Sequence, residues 1–145
     1  MPFVDKSRIG IFGWSYGGYM SSLCITQGAD IFKAAIAVAP VTNWKYYDNI
    51  YTERYMGTLE TNPNGFDANS PTSFADKLKG KYLLIHGTGD DNVHVQNTYE
   101  WIDALVKKNK QFDLMIYPDK NHGIYGGNTR LHLYTLMTAF ILENL

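Results

Sequence analysis

Ser15, Asp90 and His122 are the residues whose types and order could do chemistry together. They supply a nucleophile, an acid and a base. Ser15 lies in Gly13-Trp14-Ser15-Tyr16-Gly17, directly after the apolar run Arg8-Ile9-Gly10-Ile11-Phe12. A serine flanked in this way reads as a nucleophile elbow, a sharp strand-to-helix turn that thrusts the hydroxyl outward. The expectation for Gly13 and Gly17 is that a Cβ at either would collide with the neighbouring strand or helix. A serine hydroxyl is a weak nucleophile until a base takes its proton. Imidazole serves as that base when a carboxylate holds its tautomer and stabilises its charged form.

In α/β-hydrolases the acid and then the histidine follow the serine, each in a loop after a later strand. Lys81-Tyr82-Leu83-Leu84-Ile85-His86 reads as such a strand, followed by the polar loop Gly87-Thr88-Gly89-Asp90-Asp91-Asn92. Phe112-Asp113-Leu114-Met115-Ile116-Tyr117 reads as the next, closed by Pro118 and followed by Asn121-His122-Gly123. All three loops would leave the carboxyl ends of parallel strands, where open α/β sheets place their sites. Asp90 is preferred as the acid; Asp91 then opens the following helix or supports the loop, since aspartate suits both turns and N-caps. His86 ends its strand and is expected to be a hydrogen-bonded structural residue. His94 is expected to begin a helix, and His132 to lie within the last one. No His/Cys/Asp cluster has zinc-ligand spacing and no Walker-type loop appears, so neither metal nor cofactor is expected.

The elements that must position these residues alternate between strand and helix, without repeats or low-complexity tracts. A helix is predicted from Tyr19 to about Gln27, and a second buried strand from Lys33 to Val38, ended by Ala39-Pro40. Thr42-Asn43 could cap a short helix from Trp44, and another covers Thr52 to Met56. The stretch from Gly57 to Ser73 is rich in Asn, Pro, Gly, Ser and Thr and reads as a surface loop. A helix from about Val95 to Lys107 sets Tyr99, Ile102 and Val106 on one face, with Trp101 and Leu105 adjoining. The last helix, about Thr129 to Glu143, aligns Leu133, Leu136, Met137, Phe140 and Ile141. The fold class is therefore α/β, with about four parallel strands flanked by helices and joined by right-handed crossovers.

At 145 residues with 45% hydrophobic content, the chain suits one domain or part of one. A net charge of −1 gives no electrostatic reason to expect nucleic acid or an anionic membrane. No apolar run approaches the ~20 residues of a membrane span, so no membrane contact is expected from this segment, and no signal peptide is visible. The single cysteine, Cys24, is expected to pack as a small buried hydrophobe beside Leu23 and Ile25.

Five stretches carry a resemblance. They are Gly13-Trp14-Ser15-Tyr16-Gly17-Gly18-Tyr19, Trp44-Lys45-Tyr46-Tyr47-Asp48, Tyr51-Thr52-Glu53-Arg54-Tyr55-Met56-Gly57, His86-Gly87-Thr88-Gly89-Asp90-Asp91-Asn92-Val93-His94 and Asp119-Lys120-Asn121-His122-Gly123-Ile124. Together they closely resemble the dipeptidyl peptidase IV family, within the prolyl oligopeptidase group of serine peptidases. The likeness runs from Phe3-Val4-Asp5 to the end, and the Tyr-Thr-Glu-Arg-Tyr-Met-Gly stretch is far more specific than the elbow. It implies Ser15 as nucleophile, Asp90 as acid and His122 as base. It also implies the Tyr16 backbone N–H as one half of an oxyanion hole, Val41, Trp44, Tyr47 and Tyr51 around a proline pocket, and Asn92 as a polar contact to the substrate backbone. Proline is compact, apolar and fixed in φ, so a shallow cage of aromatic faces could bury its ring. Tyr47 and Tyr51 are expected in that cage, and Tyr46 and Tyr55 as packing.

The resemblance is to the last part of a catalytic domain, so residues 1–145 are expected to be a partial α/β-hydrolase domain from a longer enzyme. Met1-Pro2 reads as an added start. Missing strands, a second oxyanion donor and an N-terminal β-propeller would lie elsewhere, and the elbow strand would present an unpaired edge. The implied activity is release of N-terminal dipeptides with proline or alanine second, through an acyl-enzyme on Ser15, with a peptide substrate as partner. The alternatives are an isolated segment acting only as a catalytically incompetent fold or interaction module, or a parent that is another hydrolase of the group, such as an acylaminoacyl peptidase, or a generic esterase. The resemblance further implies a periplasmic, secreted or membrane-anchored parent. It allows a homodimer through the apolar last helix, a pattern that serves equally as plain core.

Overall fold

The four strands lie in chain order across one parallel sheet: β1 (Gly10–Trp14), β2 (Ala34–Val38), β3 (Lys81–Gly87) and β4 (Asp113–Tyr117). The computed structural model describes residues 2–145; Met1, read above as part of an added start, lies outside them. Five helices accompany the sheet: α1 (Tyr16–Gln27), α2 (Asn49–Met56), α3 (Gly65–Ala68), α4 (Gln96–Lys107) and α5 (Thr129–Asn144). No helix among the described residues is long and apolar enough to cross a membrane.

The interior strands β2 and β3 are almost continuously apolar because both faces of the sheet are covered, as in parallel sheets generally. Their side chains alternate between two cores. Ala34, Ile36, Val38, Leu83 and Ile85 meet Leu133, Met137 and Phe140 of α5 on one face. Ala35, Ala37, Tyr82 and Leu84 meet Ile25 of α1 and Trp101 and Leu105 of α4 on the other. A polar relay runs through this second core. Trp101 Nε1 donates to the Tyr82 hydroxyl (3.0 Å), which lies 2.7 Å from Ser22 Oγ, itself bonded to Gly18 O. Every member is satisfied, and burial pushes the Tyr82 phenol up to about 12.

Register brings the strand ends level. Trp14 pairs with Val38, Val38 with Ile85, and Gly87 with Tyr117, so the loops after all four strands emerge along one edge. The free side of β1 is unpaired among the described residues, and Phe12 there is 50% exposed.

Several expectations need correction. The segment 57–73 is not simply a surface loop. It holds α3 and the start of a 3-10 helix (Pro71–Lys77), buries Phe66, and bonds the buried Ser70 hydroxyl to Thr42 O. Its Asn residues make local bonds, Gly65 N to Asn62 Oδ1 and Asn69 Nδ2 to Gly65 O, so turn-forming composition here builds a helical turn around a buried ring. Helix α2 begins three residues earlier than read, capped by Asp48 Oδ1 on Tyr51 N. On α4 the buried stripe is Thr98, Trp101 and Leu105, while Tyr99 and Val106 face solvent. On α5, Leu133, Met137 and Phe140 are buried and Ile141 is exposed. Cys24 is only half-buried, with burial raising its thiol.

Because Trp101 fills the core and closes the Tyr82 relay, Trp101→Ala should cost roughly 3–5 kcal/mol in urea unfolding. Val106→Ala, on the solvent face, should stay within about 0.5 kcal/mol. Equal losses would contradict the assignment of the buried stripe.

Candidate active site

Ser15 sits between β1 and α1 at φ 59° and ψ −118°, a left-handed conformation that an L-residue adopts only when its surroundings impose it. Two contacts do so. Ser15 N donates to Val38 O (2.8 Å), continuing the β1–β2 ladder, and Tyr19 N donates to Ser15 O (3.0 Å), starting the helix. A Cβ on Gly13 would stand 2.0 Å from Gly17 O, so that position must be glycine. Gly17 differs from expectation: a Cβ there meets nothing within 4 Å. The tight approach on the helix side belongs to Gly18, whose Cβ would lie 3.0 Å from Val38 O and Pro40 Cβ. Tyr16 N is the first N–H of α1 and has no partner within the helix, as required of an oxyanion donor.

Asp90 is 3% exposed yet ionised, because donors surround it. Its Oδ1 accepts from Asn92 N (3.0 Å) and Val93 N (2.9 Å). Its Oδ2 lies 2.8 Å from His122 Nδ1 and 3.1 Å from His86 Nε2. Burial pushes this carboxyl up, but the hydrogen bonds from His122, His86 and Asn92 outweigh it and hold Asp90 well below the usual carboxylate range. Asp91 is exposed and opens no helix, since the chain runs irregularly until α4 begins at Gln96. His94 precedes that helix and accepts from Gln96 N through Nδ1.

His122 is held twice. Trp14 Nε1 donates to its carbonyl oxygen (2.9 Å), tying the histidine loop to the residue before Ser15. Asp90 takes its Nδ1–H, which leaves Nε2 with the lone pair a base requires. Among the described residues no hydrogen bond joins Ser15 Oγ to the ring, a link that catalytic sites without substrate often leave loose. The acid and histidine loops are laced together by Thr88 N to Tyr117 O, Gly89 N to Lys120 O and Asp119 N to Thr88 Oγ1. Buried Ile124, two residues beyond His122, has φ 44°, a strained value for a β-branched side chain.

Beside the elbow lies a cavity of about 540 Å³ lined by Tyr16, Tyr19, Trp44, Tyr51, Thr52, Tyr55, Met56, Asn62 and Asn69. Of the expected cage residues, Trp44 and Tyr51 line it, their rings stacked 5.8 Å apart. Val41 is buried beneath Trp44 and Tyr19. Tyr47 stands edge-on to both Trp44 and Tyr51, and its hydroxyl donates to Asn92 Oδ1 (2.8 Å). Tyr55 was expected as packing; it is 68% exposed and flanks Tyr51 at 4.9 Å on the cavity wall. Tyr46 is half-buried and does not line the cavity. The rings of Tyr16 and Tyr19 and the amides of Asn62 and Asn69 were not singled out from the sequence. Tyr16 could have been, because the residue after the nucleophile necessarily faces the site. The buried Thr52 hydroxyl on this wall has no partner among the described residues.

The family model described as "Prolyl oligopeptidase family" matches residues 1–145. Prolyl endopeptidase FAP of Mus musculus is 49% identical over 146 residues, a match covering 99% of this chain and 19% of that protein. Dipeptidyl peptidase 4 of Felis catus is likewise 49% identical, with the same coverage. A crystal structure of Porphyromonas gingivalis dipeptidyl peptidase 4 superposes with a TM-score of 0.97 at 52% identity, over 99% of this chain and 20% of that one. The chain thus spans about a fifth of the length of these relatives.

Two outcomes follow from the site geometry. Gly13→Ala should abolish fluorophosphonate labelling of Ser15 in the full-length protein while Gly17→Ala retains it; the opposite order would refute the steric account of the elbow. The second concerns acid stability. Asp90 titrates lower when folded than its ordinary ~3.9, so its contribution is complete above that value and is lost as pH falls through the folded-state value. Unfolding free energies of wild type and Asp90→Asn should therefore converge as the pH drops below about 4; a constant gap down to pH ~2 would contradict the shift.

Proposed function

The chain belongs to the prolyl oligopeptidase family, and on that premise we propose that it is the C-terminal part of a serine peptidase catalytic domain with Ser15, Asp90 and His122 as its triad. The observation that carries this reading is the 2.8 Å contact of His122 Nδ1 with buried Asp90, beside a serine held on a strained elbow. In the proposed reaction Ser15 Oγ attacks the carbonyl carbon of the scissile bond and its proton passes to His122 Nε2. The Tyr16 N–H stabilises the developing oxyanion. The tetrahedral intermediate collapses, His122 protonates the leaving amine, and an acyl-enzyme remains on Ser15. Water then repeats the sequence through His122, freeing the acid and returning the proton to Ser15.

The substrate class we propose is a peptide with proline, or alanine, second from its amino terminus, cleaved after that residue. The aromatic wall of Tyr16, Trp44 and Tyr51 supports it, since a rigid pyrrolidine ring buries well against such faces. Tyr47 and Asn92, bonded to each other at the site's rim, are proposed to meet the substrate backbone. The relatives' names span dipeptidyl peptidase and prolyl endopeptidase, so an internal prolyl bond is the competing reading within the family. We further propose that turnover needs elements outside these residues, a reading supported by the fifth of its relatives' length that this chain spans. By itself the segment would then be a folded but catalytically incompetent unit.

The test is hydrolysis of a Gly-Pro chromogenic substrate, free and N-acylated, by this chain and by the full-length protein, with fluorophosphonate labelling of both. The full-length protein should label and cleave the free substrate, and Ser15→Ala should end both without unfolding it. Asp90→Asn should lower kcat by about 10⁴, and Asp91→Asn only a few-fold. Preference for the N-acylated substrate would assign an endopeptidase. Substantial activity in Ser15→Ala would remove the nucleophile assignment.

A further inference from the structure

His86 stands at the end of β3, wholly buried, and belongs to no step described above. Its ring nevertheless has three polar neighbours. Nε2 lies 2.8 Å from Val93 O and 3.1 Å from Asp90 Oδ2, and Nδ1 lies 2.7 Å from Thr98 Oγ1. A carbonyl oxygen can only accept, so Val93 O requires the proton on Nε2. That same N–H then points between Val93 O and Asp90 Oδ2. Nδ1 is left facing a hydroxyl able to donate to it, and Thr98 is fixed in the first turn of α4 by its own N–H bond to Val95 O. The ring cannot rotate or change tautomer without breaking one of these contacts.

Asp90 Oδ2 is therefore shared by two imidazoles, one partly exposed and one wholly buried. The two backbone donors, Asn92 N and Val93 N, both fall on Oδ1. Without His86, Oδ2 would be held by His122 alone, and the carboxylate plane would be fixed from one side only. Two constraints on Oδ1 and one on Oδ2 from within the protein core set both the plane and the electron density that His122 meets. The titratable groups around this carboxylate are His86 on β3, His122 in the loop after β4 and Tyr47, whose phenol is raised first by burial and then by the nearby Asp48 and Asp90 carboxylates; the adjacent Asp91 faces solvent.

We propose that His86, locked in its Nε2–H tautomer by Val93 O and Thr98, is a positioning residue that aims Asp90 Oδ2 at His122 and draws off part of its negative charge. The inference rests on the reading of Ser15, Asp90 and His122 as a triad. It goes beyond a structural role for His86 because it predicts an effect on the base and not only on stability. Losing the His86 donor concentrates charge on Asp90, which favours the protonated form of His122.

The experiment uses the full-length protein and reads the rate of fluorophosphonate labelling against pH, which is independent of peptide specificity. In His86→Leu, which has no donor, the rate at neutral pH should fall roughly tenfold, the scale of one hydrogen bond to a charged group. The acid-limb midpoint should move up by about half a unit to one unit. Thr98→Val should shift the midpoint in the same direction, and Thr98→Ser, which keeps the hydroxyl, should restore wild-type behaviour. In an Asp90→Asn background, His86→Leu should cost nothing further, because a residue acting through Asp90 has nothing left to act on. A folded His86→Leu or Thr98→Val protein with reduced thermal stability but unchanged rate and midpoint would overturn the inference and leave the triad standing. A wild-type protein that does not label at all would overturn the triad and this inference together.

Discussion

A carboxylate with almost no access to water must be compensated by donors, and Asp90 is the constraint from which the rest of the site follows. Desolvating a charge costs several kcal/mol unless its lone pairs are filled. The chain fills them with two backbone N–H groups from its own loop and two imidazoles from different elements. Each donor is in turn restrained: His86 by Thr98 on α4 and by Val93 O, and His122 by Trp14 at the elbow. One buried charge thereby ties β1, β3, α4 and the loop after β4 to a common point. Ser15 is the member of the trio that Asp90 does not touch, and its conformation is imposed separately by the β1–β2 ladder and the start of α1.

The sheet makes this convergence possible by keeping its strand ends level. With all four strands parallel and in register, the serine, acid and histidine loops share an edge, and short main-chain contacts then lace the acid loop to the histidine loop. The aromatic wall comes from the one long excursion out of the sheet, between β2 and β3. There Trp44, Tyr47, Tyr51 and Tyr55 succeed one another in edge-on, stacked or tilted pairs 4.9 to 5.8 Å apart. Tyr16 and Tyr19 reach that wall from the helix that Ser15 opens, so Ser15 and the pocket are joined through α1.

Much of this was legible in the sequence because strand ends and turns leave local signatures. The apolar run before Gly13, the polar loop after His86 and Pro118 closing β4 each mark where a functional loop begins. What stayed hidden depended on partners distant in sequence. The apolar stripe of α4 was ambiguous because two sets of residues keep helical spacing. The choice fell to Trp101, whose indole N–H meets the Tyr82 hydroxyl across the core. The role of Gly17 was misjudged because the flanking glycines look equivalent in the motif, whereas only Gly13 faces the opposing backbone. Residues 57–73 carry asparagines and glycines that signal a turn and a short helix alike, and burial of Phe66 decides between them. His86 read as a satisfied histidine. The sequence carried no sign that one of its acceptors is Asp90.

The bond from the Trp14 indole to His122 O joins the end of β1 to the loop after β4, at opposite edges of the described sheet and across 108 residues of chain. The His86–Asp90 contact spans only 4. Loop-closure entropy makes the longer connection harder to form by roughly 3 kcal/mol. Chain statistics therefore order the assembly of the site: Asp90 and His86 can meet as soon as the β3 turn exists, while Trp14 and His122 meet only once all four strands are docked. The same ordering runs backwards under stress, so fraying at either sheet edge separates serine from histidine while most of the core is still intact. The Trp14–His122 contact in such an architecture is a reporter of complete tertiary closure.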